Sequence, residues 1–103
     1  MKIAIAATSS ETDAQVARGA RAPYYLLIDT ESGLSEALTN PVSQSDRGVG
    51  PQAAAFLMSK GVTKVVAGDF GLKFRTELES GDIVCVEKIG AVSEVLAELS
   101  DQS

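Results

Sequence analysis

Two short apolar segments with almost no polar alternation, Lys2–Ala7 and Val62–Ala67, constrain the fold of this chain most strongly. A strand that is apolar at successive positions has to be covered on both faces, as inner strands of parallel α/β sheets are. Further strands are predicted at Tyr24–Asp29, 34–39 and 83–86, and the second of these is polar enough to be an edge strand. The sequence therefore predicts one sheet with its two most apolar strands in the middle.

Three helices are predicted between and after these strands. The first covers residues 52–60, and the second is short, with Phe74 and Leu78 four residues apart. Gly61 and Gly81 are placed so that each ends one of these helices in a left-handed cap. The last helix carries a single apolar stripe, which consists of Val92, Val95, Leu96 and Leu99.

The order of these elements is β, β, β, α, β, α, β, α, in which strands two and three form a hairpin. Crossovers between parallel strands are right-handed and lay the two strands side by side. With the fourth strand beside the first, the sheet order becomes 3-2-1-4-5. We therefore predict a single α/β domain over residues 1–103. Its arrangement is ribonuclease H-like, a mixed five-stranded sheet with three helices on its two faces.

The composition removes several classes of function. The chain has no histidine and one cysteine, which excludes an internal disulfide, the usual zinc sites and any histidine-based catalytic triad. A net charge of −5 argues against nucleic acid as a partner. The first apolar run is too short to cross a membrane. We expect a cytoplasmic protein that is a monomer or a weak dimer.

Three loops are expected to meet at the carboxyl ends of the first and fourth strands, where open α/β sheets bind their ligands. They are the long segment 8–22, the loop 68–71 and the turn 47–51, whose sequence is RGVGP. The two glycines of this turn allow a ligand to approach the backbone. Pro51, at a first helical position, leaves the following N–H groups available to an anion.

Basic residues are concentrated in or just beyond these loops, although the chain is acidic overall. Five of the nine lie there: Arg18, Arg21, Arg47, Lys73 and Arg75. This concentration predicts an anion pocket, to which Lys73 and Arg75 cannot both contribute from one helix. Each arginine alone is also explained as a solvated side chain or as an ion-pair partner of Glu11, Asp13 or Asp46.

The residues of the three loops resemble the dinitrogenase iron-molybdenum cofactor-binding domains, small proteins that carry or deliver iron-molybdenum and related metal-sulfur clusters. Residues 19–25, GARAPYY, are similar to the family segment FGRAPYF. Asn40 and Pro41, followed by GVGP at 48–51, resemble the family segments NP and HGxGP. Residues 67–71, AGDFG, are similar to the GGxG turn after the fourth strand. The resemblance covers nearly the whole chain and implies the same ribonuclease H-like fold.

Two departures from the family pattern change the chemistry that the resemblance implies. The family often has histidine at the positions of Arg18 and Arg47, and arginine stays protonated and does not ligate metals. A cluster would then be held by charge and by hydrogen bonds from arginines and backbone amides to sulfides. An iron-molybdenum cluster, or a molybdenum-copper sulfide cluster as in the orange proteins that resemble this family, would suit such a pocket. Cluster donor or recipient proteins are the further partners that the resemblance implies.

The residues expected around the cluster are Thr8, Arg18, Gly19, Arg21, Arg47, Gly48, Val49, Gly50, Asp69, Phe70 and Gly71. Asp69 is alternatively a turn or helix-cap residue. Cys85, near the carboxyl end of the last strand, is either a ligand or a small buried core residue.

Two other functions stay open at this point. An enzyme on this fold would need carboxylates on the central strand to hold magnesium, and Lys2–Ala7 contains none. We therefore expect no catalysis. The other alternative is an interaction or regulatory module that kept the fold and lost the cluster, because both histidines are missing.

Overall fold

The computed structural model describes residues 1–11, 13–45 and 47–101, and their strands and helices follow the predicted order. The elements are β1 (Lys2–Ala7), β2 (Tyr24–Asp29), β3 (Ser35–Thr39), α1 (Val49–Ser59), β4 (Val62–Ala67), α2 (Leu72–Ser80), β5 (Val84–Glu87) and α3 (Val92–Asp101). Within these residues, no helix combines the length and the apolar character needed to cross a membrane.

The strands form one sheet in the order β3-β2-β1-β4-β5. β1 pairs antiparallel with β2 and parallel with β4, and β5 extends the parallel half. From Ile3 to Ala7, no β1 side chain is more than 3% exposed. This strand order confirms the predicted ribonuclease H-like sheet. As expected for a strand that is apolar on both faces, β1 is buried between two layers of helices.

The two faces of β1 carry side chains of different size. Ala4 and Ala6 lie in the hydrophobic cluster under α1 and α2. Ile3 and Ile5 point to the other face, where they pack in a second cluster with Val95 of α3. Successive residues of a strand face opposite sides, so this short segment supplies both cores. The parallel connection also brings the starts of α1 and α2 to the edge of the sheet where β1 and β4 end.

The ends of the first two helices differ in conformation. Gly61 follows α1 with a φ of 77°, as predicted. The same prediction for Gly81 is wrong, because its φ is −96° and the left-handed residue after α2 is Asp82, with a φ of 62°. A Cβ at Gly81 would lie 2.6 Å from Cε of Met58. This neighbour is the flexible end of a partly exposed side chain of α1, which can move away.

Candidate functional site

The three loops meet in a shallow depression of about 290 Å³ at the carboxyl ends of β1 and β4. It is lined by Arg18, Gly19, Ala20, Arg21, Val49 and Asp69. The first four belong to the β1–β2 connection, whereas Val49 begins α1 and Asp69 follows β4. The convergence of loops that the strand order predicted is therefore present in the structure.

The β1–β2 connection closes the crevice between β1 and β4 with its own backbone. The N–H of Ala17 donates to the carbonyl of Ala6 at 2.8 Å, and the carbonyl of Ala17 accepts from the N–H of Gly68 at 2.8 Å. Thr8, a predicted site residue, is bonded to Gln15 through its N–H and its Oγ1. Thr8 thus stabilises the connection and does not line the depression.

Gly19 is fixed from two sides at the base of the depression. Its N–H donates to the carbonyl of Asp69 at 2.9 Å, and its own carbonyl accepts a hydrogen bond from Oη of Tyr25 at 2.9 Å. A Cβ at Gly19 would lie 2.7 Å from the carbonyl oxygen of Asp69, so only glycine allows this approach. Tyr25 is fully buried, and burial raises the pKa of its phenol, which keeps the hydroxyl protonated as a donor.

Asn40 holds the same loop from below and is the supporting residue that the sequence analysis missed. It is only 2% exposed. Its Nδ2 donates to the carbonyls of Ala20 and Ala22, both at 2.8 Å, and its Oδ1 accepts from the N–H of Val42 at 3.1 Å. The only signal in the sequence was the asparagine before Pro41, and nothing there shows that it is buried. Once buried, its amide has to satisfy several hydrogen bonds at once.

An ion pair joins two of the three loops. Nε of Arg18 donates to Oδ2 of Asp69 at 2.8 Å, with the two side chains 88% and 46% exposed. The partners suggested by the sequence were Glu11, Asp13 and Asp46, of which Asp46 lies outside the described residues. So exposed a pair adds at most about 1 kcal/mol to stability. Its main effect is therefore on the charge of the depression.

Arg21 is the second cation of the depression. Its side chain is exposed, and its Nη1 donates to the carbonyl of Ser43 at 3.2 Å. A guanidinium group has five N–H donors, so one such bond leaves donors for a ligand. With Arg18 and Arg21 against the single carboxylate of Asp69, the lining carries an excess of one positive charge in a protein of net charge −5.

The start of α1 differs from the prediction. The helix begins at Val49 rather than at residue 52, because Gly48 adopts a left-handed conformation (φ 66°, ψ 26°) and serves as the N-cap. Pro51 is then the third helical residue instead of the first. Since proline has no N–H, it removes one of the donors that the first helical turn presents outward. This end of α1 offers fewer backbone donors to an anion than the sequence implied.

The residues around Val49 have separate roles. Gly48 supplies the left-handed cap, whereas a Cβ at Gly50 would lie 3.0 Å from the backbone N of Phe74. Gly50 thus permits the packing of α1 on α2. Val49 lines the depression, and Arg47 is exposed just before the cap without being part of the lining.

The β4–α2 loop places Phe70 and Gly71 outside the depression. Phe70 is 4% exposed and stacks on Phe74 with 5.7 Å between ring centroids. On its other side, Arg75 lies 5.0 Å from the ring centroid and is bonded to Glu87 at 2.8 Å. Gly71 is exposed and forms the N-cap of α2. Phe70 is therefore a core residue, and Arg75 is occupied by other partners.

Side chains that could ligate a metal are not gathered at this edge. In the described part of the chain, no three or more Cys, Asp or Glu side chains lie close enough together to hold a metal ion. Cys85 lies beside Val65 in the sheet and packs against the core. Burial raises the pKa of its thiol and so disfavours the thiolate that binds metals. The donors at the depression fit an anion held by N–H groups, and not a metal ion held by protein ligands.

A second depression, of about 340 Å³, lies at the opposite edge of the sheet. It is lined by Ile3, Ile28, Asp29, Thr30, Gly33, Ser35, Leu96 and Leu99. These described residues include no lysine or arginine and one carboxylate. This depression therefore does not suit an anion, although it is the larger of the two.

The sequence and the fold were compared with known proteins. Residues 1–102 match the family described as dinitrogenase iron-molybdenum cofactor. A NifB-like protein from Thermotoga, solved by NMR, is 29% identical over 97% of this chain and 87% of its own, with a TM-score of 0.82. No curated protein matches the chain.

Two further solved structures are similar in fold alone. The apo form of the orange protein from Desulfovibrio gigas is 24% identical over 98% of this chain and 88% of its own, with a TM-score of 0.85. The protein PH0822, known from a crystal structure, is 20% identical in sequence over 100% of this chain and 93% of its own, with a TM-score of 0.85.

Proposed function

The chain belongs to the dinitrogenase iron-molybdenum cofactor family, and on that basis we propose that it binds, carries or delivers an anionic metal-sulfur cluster. The cluster is of the iron-molybdenum or molybdenum-copper type and is the cargo of a non-enzymatic carrier. The observation that supports this most is the pair of arginines, Arg18 and Arg21, in the depression of an acidic protein. An anion gains most where positive charge and N–H donors are fixed before it binds.

The proposed binding uses hydrogen bonds and charge instead of bonds to the metal. Arg21 donates to cluster sulfides with the N–H groups that Ser43 leaves available. Arg18 gives its Nε–H to Asp69 and has further guanidinium donors at the rim, and Arg47 adds positive charge beside the start of α1. Among the described residues, the depression has the carboxylate of Asp69 but no group of three or more side chains that could hold a metal ion.

A protein-binding module without a cluster is the second candidate. The observation that favours it is the Arg18–Asp69 ion pair, which neutralises one of the two cations of the depression. Such a module would bind no thiomolybdate.

The first prediction is that the protein, purified anaerobically, contains molybdenum with iron or copper, or takes up tetrathiomolybdate with copper(I), and shows visible charge-transfer bands. Arg21→Ala should weaken this binding about tenfold, because a charge-assisted hydrogen bond contributes about 1.5 kcal/mol or more. Arg47→Ala should weaken it about two- to threefold, because Arg47 is not part of the lining. Titration followed by absorption, with metal analysis, measures both changes.

Lys2→Ala is the matched control, since it removes the same charge at the other end of β1 from an exposed position. Its affinity should equal that of the wild type. Unchanged cluster retention in both arginine variants would refute the anion depression. A colourless protein that takes up neither thiomolybdate nor copper would favour the second candidate.

The second prediction concerns Asp69→Asn, which removes the negative charge of the depression. Thiomolybdate should bind about fivefold more tightly, equivalent to about 1 kcal/mol of Coulomb energy near the protein surface, and with a steeper salt dependence. Asp82→Asn is the control, because it makes the same change at an exposed residue between α2 and β5. This connection lies at the opposite edge of the sheet from the depression. Equal or weaker binding by Asp69→Asn would contradict this prediction. It would mean that Asp69 favours anion binding through its ion pair with Arg18 at least as much as its negative charge repels the anion.

A further inference from the structure

We propose that Asn40 is the positioning residue of Arg21, an inference that rests on the proposed function of the depression. The two carbonyls that flank Arg21 in sequence, those of Ala20 and Ala22, are both bonded to the same amide nitrogen, Nδ2 of Asn40, at 2.8 Å. The carbonyl of Ala20 belongs to the peptide directly before Arg21, and that of Ala22 to the second peptide after it. Asn40 therefore restrains the backbone on both sides of Arg21 and with it the direction of the Arg21 side chain.

Asn40 also places the acceptor of the Arg21 side chain. Its Oδ1 accepts from the N–H of Val42, and its backbone carbonyl accepts from the N–H of Ser43 at 3.4 Å. These bonds shape the turn that presents the carbonyl of Ser43 to Nη1 of Arg21, 3.2 Å away. One residue therefore fixes both the backbone of Arg21 and the group that holds its guanidinium.

Burial makes this support effective. Asn40 is 2% exposed, whereas Arg21 is exposed, so water reaches the guanidinium but does not compete for the bonds of the amide. An arginine that is already oriented loses less conformational freedom when it binds an anion. The affinity that Arg21 provides accordingly depends on an intact amide at position 40.

A double-mutant cycle with tetrathiomolybdate as the probe tests this role. Asn40→Ser replaces the NH₂ group, which donates twice, by a shorter side chain with one O–H donor, and should weaken binding about fivefold. Arg21→Ala should weaken it about tenfold. Because both changes remove the same interaction, the double variant should bind about tenfold more weakly than the wild type, and not about fiftyfold. The parallel cycle of Asn40→Ser with Arg47→Ala should be multiplicative. A merely structural role would give multiplicative losses in both cycles and would overturn the proposal.

A second measurement needs no ligand and so separates this inference from the proposed function. NMR relaxation gives the order parameter of the Arg21 Nε–H vector, which should fall in Asn40→Ser. The order parameter of the Arg47 Nε–H vector should stay unchanged. Equal order in wild type and variant would overturn the proposal. If the wild type binds no tetrathiomolybdate, the proposed function fails while this measurement still decides the role of Asn40. Should Asn40→Ser not fold, Asn40→Gln, which displaces the amide by one methylene, takes its place in both experiments.

Discussion

Asn40→Asp is expected to lower the free energy of unfolding by about 3 to 5 kcal/mol at pH 7. The change replaces the NH₂ group that donates to the carbonyls of Ala20 and Ala22, each at 2.8 Å, by a carboxylate oxygen. Both acceptors lose their donor, and a negative charge is placed against them at a site that is 2% exposed. Urea unfolding should show the loss directly, together with a fall in Tm of about 15 to 25 °C.

The pH dependence of this variant follows from the same contacts. A protonated carboxyl could still donate one of the two hydrogen bonds, so the fold raises the pKa of the introduced group above the ordinary aspartate value of about 3.9. A group with a raised folded-state pKa contributes stability that is present below its unfolded pKa and is lost as the pH rises. The destabilisation should therefore be larger at pH 7 than at pH 4.

Gln44→Glu is the matched control, because it makes the same amide-to-acid change at an exposed position of the following turn. It should change the free energy of unfolding by less than about 0.5 kcal/mol. A loss below about 1 kcal/mol in Asn40→Asp at pH 7, or an equal loss at both pH values, would contradict the role of the amide as a buried donor.

Gly19→Ala is expected to lower the free energy of unfolding by about 2 to 3 kcal/mol, because the added Cβ overpacks a rigid contact. The new atom would lie 2.7 Å from the carbonyl oxygen of Asp69, 3.2 Å from the Phe74 ring and 3.3 Å from Cα of Phe70. Two of these neighbours are backbone, so the β1–β2 connection has to move away from the β4–α2 loop. NMR shift changes should therefore cover residues 18–22 and 69, together with weaker thiomolybdate binding.

Gly68→Ala is the control for Gly19→Ala within the same crevice. Its Cβ would meet the carbonyl oxygen of Ala17 at 3.5 Å, which is an ordinary contact. Its stability should lie within about 1 kcal/mol of the wild type, since a tolerated alanine also restricts the unfolded chain. Equal losses in the two variants would mean that the short contact with Asp69 does not set the shape of the depression.

The strand order was predictable because it depends on patterns that are local in sequence. The unbroken apolar character of Lys2–Ala7 and Val62–Ala67 required cover on both faces, and this is their environment in the sheet. Gly61 was predicted as a left-handed cap for the same local reason. The same local reasoning was wrong at Gly81, which ends α2 with a φ of −96°, because the left-handed conformation lies one residue later, at Asp82.

The edge of the sheet at which the loops meet also followed from the sequence, but most contacts within it did not. The partner of Arg18 is Asp69, which is 51 residues away in the chain. The sequence suggested other carboxylates as ion-pair partners, two of them much closer in the chain. Phe70 sits in a motif that resembles the family turn, yet its side chain packs in the core. Motif membership places a residue in a loop without saying which way its side chain points.

The sequence by itself determined the α/β fold, the sheet order and the edge at which the three loops meet, because apolar periodicity and strand direction are local properties of the chain. Only the tertiary structure decided which loop residues face that edge and what holds them. From the sequence, Asn40 is only the residue after a strand, and Tyr25 only a strand residue. In the structure, both donate hydrogen bonds to the loop that carries Gly19 and Arg21. Their roles depend on distances between segments far apart in sequence, and those distances exist only once both layers of the core have packed against the sheet.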